Sequence, residues 1–203
     1  MTSAPRERRR IGLLGGTFDP PHLGHLVAAE CARVSLELDE VRFVVAGAPW
    51  MKERCSPAEH RIAMVELAVA DEPSFVVSRR EVDRAGTTYT VETLEELHEE
   101  EPAADLFFLV GADAAQNFDQ WKDPERCLEL ATCVVVTRPG YEVDRSRPLL
   151  ERFVHLDVPG IGISSTDLRR RFREGRAVRH QLPAAVERYV RAHGLFVATG
   201  GDR

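Results

Sequence analysis

Two histidines, His22 and His25, stand three residues apart just after a glycine pair, Gly15-Gly16, and a proline pair, Pro20-Pro21. The stretch from Gly15 to Leu26, GGTFDPPHLGHL, joins a short apolar run to the first helical period. Glycines at such a junction let a ligand approach the backbone closely. The prolines keep the helix from starting early. A helix opening near His22 presents unsatisfied N–H groups worth about +0.5 of an elementary charge in macrodipole terms, an end that suits phosphate. Histidines at this spacing share a helix face, and imidazoles can donate hydrogen bonds to phosphate oxygens and carry positive charge near neutral pH. The pattern is neither the glycine fingerprint of dinucleotide folds nor a lysine-bearing P-loop. The plain alternative is a glycine turn followed by two unrelated histidines. The turn, the prolines and the paired imidazoles all fall at one junction, which favours the chemical reading.

A second cluster lies near the other end, at Ile163-Ser164-Ser165-Thr166-Asp167-Leu168-Arg169. Ser165 or Thr166 is expected to cap the helix that follows, and its hydroxyls and early N–H groups can also donate to an anion. Arg169 falls in the first turns, where its planar fork can return to the same anion and suits polyphosphate oxygens. Taken alone, this segment is a capped helix with a solvated arginine run, and Arg170 and Arg171 read as surface charges.

The elements that must position these groups alternate between short β-rich runs and helical periods. Strands are expected at Ile11–Leu14, Val41–Ala46, Phe75–Ser78, Leu106–Val110, Cys133–Thr137 and Phe153–Leu156. A helix from about Leu23 to Leu36 carries Leu23, Leu26, Val27, Cys31 and Val34 at helical spacing. Ser56, Pro57 and Glu59 announce another, with Ile62, Met64, Val65, Leu67 and Ala68 as its apolar positions. After a polar loop at Arg84–Thr88, further helices are expected at Thr90–Glu100, from Asp123-Pro124, at Ser165–Arg173 and at Pro183–His193, the last stopped by Gly194. Continuous apolar strands alternating with helices imply an α/β fold, a Rossmann-like parallel sheet with helices on both faces. Ligands of such sheets sit outside the carboxyl ends of the strands, which directs attention to the turns after Leu14 and Val110 and to the loop before Ser165.

The chain has 203 residues, 43% hydrophobic and 30% charged, so it is neither disordered nor membranous in composition. No stretch approaches the roughly 20 apolar residues that span a bilayer. The basic start, Met1 to Arg10, lacks the apolar centre of a signal peptide. With a net charge of −6, binding to a nucleic acid polymer is not expected. The Arg6, Arg8, Arg9, Arg10 cluster reads as a solvated, flexible tail, residues 1–10, ahead of a single domain at residues 11–203. Cys31, Cys55, Cys127 and Cys133 form no CxxC pair and show no metal-ligand spacing. They are expected to be reduced, mostly buried thiols in a cytoplasmic protein.

GGTFDPPHLGHL resembles the signature of nucleotidyltransferases with a T/H-x-G-H motif, with His22-Leu23-Gly24-His25 supplying its core. ISSTDLR resembles the second signature of that family, which binds the β- and γ-phosphates of ATP. The resemblance implies ATP contacts at Gly15, Gly16, Thr17, Phe18, His22, His25, Gly111, Asp113, Ile163, Ser164, Ser165, Thr166 and Arg169, with His22, His25 and Arg169 acting in catalysis. The middle of the chain narrows the family. Gly86-Thr87-Thr88-Tyr89-Thr90 and Phe108-Leu109-Val110-Gly111-Ala112-Asp113, followed by Trp121, resemble segments of nicotinate-mononucleotide adenylyltransferases, and the likeness runs from Ile11 to about Val197. It implies a mononucleotide site at Lys52, Thr88, Tyr89 and Trp121. A flat tryptophan face attracts a positive pyridinium ring, donors around Thr88 and Tyr89 suit its carboxylate, and Asp113 can accept from ribose hydroxyls. One segment departs from the pattern. Many relatives carry a proline-histidine-lysine-like stretch where this chain has Ala48-Pro49-Trp50-Met51-Lys52.

The implied reaction transfers AMP from ATP to nicotinic acid mononucleotide, giving deamido-NAD and pyrophosphate. Mg²⁺ would come with the ATP phosphates rather than sit in a dedicated protein site. The expected partners are these two nucleotides, with no polymer and no membrane, in a monomer or homodimer. The rival readings are nicotinamide mononucleotide or phosphopantetheine as acceptor, an inactive nucleotide-binding regulator, and a nucleic-acid binder using the arginine-rich ends.

Overall fold

The computed structural model describes residues 8–48, 55–84, 86–137 and 147–197. Six strands form one parallel sheet: β1 (Arg9–Gly16), β2 (Glu40–Val45), β3 (Phe75–Ser78), β4 (Ala104–Gly111), β5 (Thr132–Thr137) and β6 (Val154–Asp157), in the spatial order β3-β2-β1-β4-β5-β6. The chain builds outward from β1 through β2 to β3, then returns to lay β4 against the other edge of β1. That reversal leaves a crevice at the carboxyl ends of β1 and β4, where Gly15-Gly16 and Gly111 lie.

The four inner strands, β2, β1, β4 and β5, bury both faces, so their sequences are apolar without alternation. One face sets Ile11, Leu13, Phe108, Val110 and Val135 against Leu94 and Leu97 of α4 (Thr90–Glu100) and Cys127 of α6 (Pro124–Leu130). The other sets Val41, Phe43, Leu109 and Val134 against α1 (Leu23–Ser35) and α2 (Ala58–Val69). Each fully buried leucine or phenylalanine contributes about 1.5–3 kcal/mol of burial free energy. A third layer, α7 (Ser165–Arg173) and α8 (Ala184–Ala192), packs Leu168, Phe172, Val186 and Val190 with Met64 on the outer side of α2. Among the described residues there are also short helices, including α3 (Arg80–Asp83), within the stretch before the loop, and α5 (Ala112–Ala115), directly after β4.

Several local expectations are corrected. α1 buries Ala29 and Ala32, whereas Val34 is 59% exposed, so small residues let this helix lie close on the sheet. Leu67 faces solvent. Arg9 and Arg10 belong to β1, and Arg8 donates to the carbonyls of Pro102, Ala103 and Ala104. Arg9 pairs with Glu40, and Arg10 lies over the Phe107 ring. The end of the basic segment is therefore part of a central strand rather than a solvated tail, while Arg6 lies outside the described residues.

Cys127 and Cys133 are buried, and desolvation pushes both thiols up to about 12; Cys31 and Cys55 are only half-buried. A thiol that stays protonated is a poor nucleophile. At pH 8 a disulfide reagent should modify Cys31 and Cys55 in the folded protein and reach Cys127 and Cys133 only after denaturation. Rapid modification of all four without denaturant would contradict this packing.

Candidate active site

The turn after β1 is a compact wedge. Phe18 takes a left-handed backbone conformation (φ 50°) and sends its ring inward, 2% exposed, against Phe43 and edge-on to His25 at 5.1 Å. A Cβ at Gly16 would lie 2.9–3.1 Å from that ring. The glycine is required by Phe18 as much as by any ligand, and Phe18 itself can meet a ligand only through its backbone.

His22 is the residue that caps α1, and its backbone N–H donates to Nδ1 of His25 at 3.1 Å. In a neutral His25 ring, that bond leaves the proton on Nε2, as a donor. The two imidazoles stack with centroids 3.7 Å apart and an angle of 24°. Gly24 makes this possible, because a Cβ there would lie 3.0 Å from Nδ1 of His22.

The second motif docks onto this turn. Ser165 Oγ donates to the Pro20 carbonyl (2.9 Å), and Arg169 donates to the Asp19 carbonyl (2.8 Å) and to Thr166 Oγ1 (3.2 Å). The Arg169 fork has more N–H donors than these two contacts use. Ser164, not Ser165 or Thr166, caps α7, accepting from the Asp167 N–H. Arg170 and Arg171 both bond Asp167 and hold its carboxyl below the usual range, consistent with surface charges. Segments some 145 residues apart in sequence thus meet at Asp19-Pro20. Ile163 sits half-buried at the same junction.

A few residues back along the turn, a cleft of about 590 Å³ opens between β1 and β4. Gly15, Gly16, Thr17 and Gly111 line one side, and Thr88, Tyr89, Trp121 and Lys122 the other. The size suits a nucleotide-scale ligand. Trp121 both lines the cleft and packs against Phe108 and Phe118, with centroids at 5.8 and 5.3 Å. Lys122 lies over the Tyr89 ring at 4.5 Å and pairs with Glu92. The Thr88 hydroxyl donates to Glu81 rather than standing ready for a ligand. Asp113 is exposed in the first turn of α5, two residues past Gly111. Lys52 and Trp50 lie outside the described residues.

Two charged residues near the site were missed in the sequence, one buried and one half-buried. Arg61 is 1% exposed and donates to four backbone carbonyls, and Glu81 lines the cleft floor. Burial pushes the Glu81 carboxyl above its ordinary range, and bonds from Thr93, Thr88 and the Gly47 N–H work against that rise. Arg61 shares a helical stripe with Met64, Val65 and Ala68, and that spacing was the signal available.

A family model described as cytidylyltransferase-like matches residues 13–171. A probable nicotinate-nucleotide adenylyltransferase of Thermus thermophilus is 53% identical, over 92% of this chain and 99% of its own. One from Leifsonia xyli is 47% identical, over 97% and 98%. Among solved structures, Plasmodium falciparum nicotinic acid mononucleotide adenylyltransferase complexed with NaAD superposes with a TM-score of 0.78 at 17% identity, covering 93% of this chain and 98% of that one. At that identity the superposition speaks for the fold.

Gly24→Ala should improve helix propensity yet displace the His22 ring. The expected outcome is a folded protein whose ATP affinity, measured by calorimetry, falls about 10-fold, since small misplacements of positioning groups are amplified. Unchanged affinity would show that the stacked imidazoles do not hold phosphate.

Proposed function

The chain belongs to the nicotinate-nucleotide adenylyltransferase family, and from that premise we infer that it transfers the AMP moiety of ATP to nicotinic acid mononucleotide, releasing pyrophosphate and forming deamido-NAD. The observation that carries the site assignment is the meeting of the two phosphate motifs at Asp19-Pro20, on the same turn that lines the cleft.

A 5′-phosphate oxygen of the mononucleotide attacks the α-phosphorus of ATP in line. The new P–O bond forms as the bond to the leaving pyrophosphate breaks. The attacking phosphate is already anionic, so no strong general base is needed, and alignment with charge stabilisation does the work. His25 Nε2–H and His22 serve the phosphates, His25 chiefly the α-phosphate, while the hydroxyls and N–H groups of Ser164–Thr166 and the Arg169 fork receive the leaving pyrophosphate. Trp121 offers its face to the pyridinium ring. α4 begins just after Thr88-Tyr89, and its positive end suits the acceptor's carboxylate. Because the Thr88 hydroxyl is engaged with Glu81, the backbone N–H groups there are the better donors.

Mg²⁺ would enter with ATP. The donors at the phosphate turn are imidazole, hydroxyl and guanidinium groups, which suit phosphate oxygens rather than a hard cation, so the ion would be held by phosphate oxygens and water. No helix among the described residues is long and apolar enough to cross a membrane. We place the reaction in the cytoplasm, where the chain's thiols would stay reduced.

Pyrophosphate release from ATP and Mg²⁺ should be strong with nicotinic acid mononucleotide and weak with its amide analogue and with phosphopantetheine. Preference for either of the others would overturn the acceptor assignment, and no release with any would overturn the activity. His25→Ala should retain the fold by circular dichroism and lose at least about 10²-fold in kcat. Near-normal turnover by folded His25→Ala enzyme would remove His25 from the chemistry.

A further inference from the structure

Arg61 lies in the first turns of α2 with its side chain in the core, and it does not line the cleft. A guanidinium removed from water is costly unless its N–H groups find acceptors. Here Nε donates to the Ser56 carbonyl (3.0 Å), Nη1 to Thr17 (3.2 Å) and Ala46 (2.6 Å), and Nη2 to Gly47 (3.0 Å). These carbonyls belong to three separate segments: the phosphate turn after β1, the end of β2, and the entry to α2. Gly47 and Ser56 bracket the segment that carries Lys52. The Ser56 N–H also donates to Asp19 Oδ2 (3.1 Å), a second tie back to the phosphate turn.

The network reaches the acceptor side of the cleft. Gly47, held by its carbonyl to Arg61, donates its N–H to the Glu81 carboxyl. Glu81 also accepts from the hydroxyls of Thr88 (3.1 Å) and Thr93 (3.0 Å). Hydrogen bonds therefore run unbroken from Thr17 through Arg61, Gly47 and Glu81 to Thr88. We propose that Arg61 is a positioning residue which fixes the acceptor side of the cleft relative to the ATP-phosphate turn, so that the two substrates meet in line. This rests on the adenylyl-transfer reading above. The donor side has ties of its own, from Ser165 and Arg169, that do not pass through Arg61. Loosening the clasp should therefore spare ATP binding and harm acceptor binding and alignment. Lysine keeps the charge, but its ammonium cannot reproduce a planar fork spread over four carbonyls.

The test compares wild type with Arg61→Lys and with Glu81→Gln, which keeps the side-chain size but removes the carboxylate that accepts from Gly47, Thr88 and Thr93, the next link after Arg61. Thermal unfolding, ATP affinity by calorimetry and steady-state kinetics with nicotinic acid mononucleotide are measured on each. For folded Arg61→Lys, ATP affinity should stay within about 3-fold, acceptor KM should rise about 10-fold, and kcat/KM for the acceptor should fall about 10²-fold. A merely structural role would lower the active fraction, reducing kcat and leaving acceptor KM alone. An acceptor KM within about 3-fold of wild type, or an equal loss of ATP affinity, would overturn the proposal. Should Arg61→Lys fail to fold, Glu81→Gln decides, because it breaks the next link of the same chain of bonds: a rise in acceptor KM of about 3- to 10-fold supports the clasp, and an unchanged KM overturns it. A wild type inactive with every acceptor overturns the functional reading and this inference with it. An active wild type with unaffected variants overturns this inference alone.

Discussion

The bonds from Ser165 Oγ and Arg169 to the Pro20 and Asp19 carbonyls are the constraint on which the site depends. A parallel sheet places strand ends in a crevice but does not by itself bring a distant helix to that crevice. α7 reaches it because its apolar face, Leu168 and Phe172, packs with α8 and Met64 on the outside of α2. That packing sets the height and angle at which the first turn of α7 arrives. The two hydrogen bonds then fix its register against the turn. Phe18 supplies the complementary rigidity from below, wedged between Phe43 and His25, so the turn that receives α7 is itself held.

The cleft beyond this junction combines an apolar wall with few polar groups. Trp121 is supported by Phe108 and Phe118, so its ring presents a fixed face. Glu81 is the notable charge on the floor. It serves the backbone and hydroxyl network more directly than it serves solvent, and its raised carboxyl reflects the burial that this service requires. Opposite charges flank Gly47, Arg61 at its carbonyl and Glu81 at its N–H, and together they anchor the backbone just past the end of β2.

Much of this was readable in the sequence because it rests on local rules. Six apolar runs became six strands, and the glycine, proline and histidine punctuation located the phosphate turn. The second motif could be placed before a helix from its hydroxyls alone, though the capping residue was off by one because the three candidate hydroxyls are adjacent. The failures have tertiary causes. Arg61 lies on an apolar stripe, and nothing local says that four carbonyls from three segments will converge to accept from it. Phe18 looks like a ligand-facing residue within its motif, yet its positive φ turns the ring into the core. Val34 and Leu67 fit a helical stripe by spacing but face water; on α1, which carries Val34, the buried positions are the alanines Ala29 and Ala32. Arg9 and Arg10 read as tail charges because strand pairing with β4 and the Glu40 contact are both long-range.

The central claim is that this junction directs attack to the α-phosphorus of ATP and sends pyrophosphate away. Tracing label from ATP during a single turnover with nicotinic acid mononucleotide tests it most directly. With ATP labelled at the α-phosphorus, the label should appear in the dinucleotide product. With ATP labelled at the γ-phosphorus, it should appear wholly in pyrophosphate. Label from the γ-position on the acceptor, or α-label recovered as free AMP, would contradict the account by showing phosphoryl transfer or hydrolysis in place of adenylyl transfer.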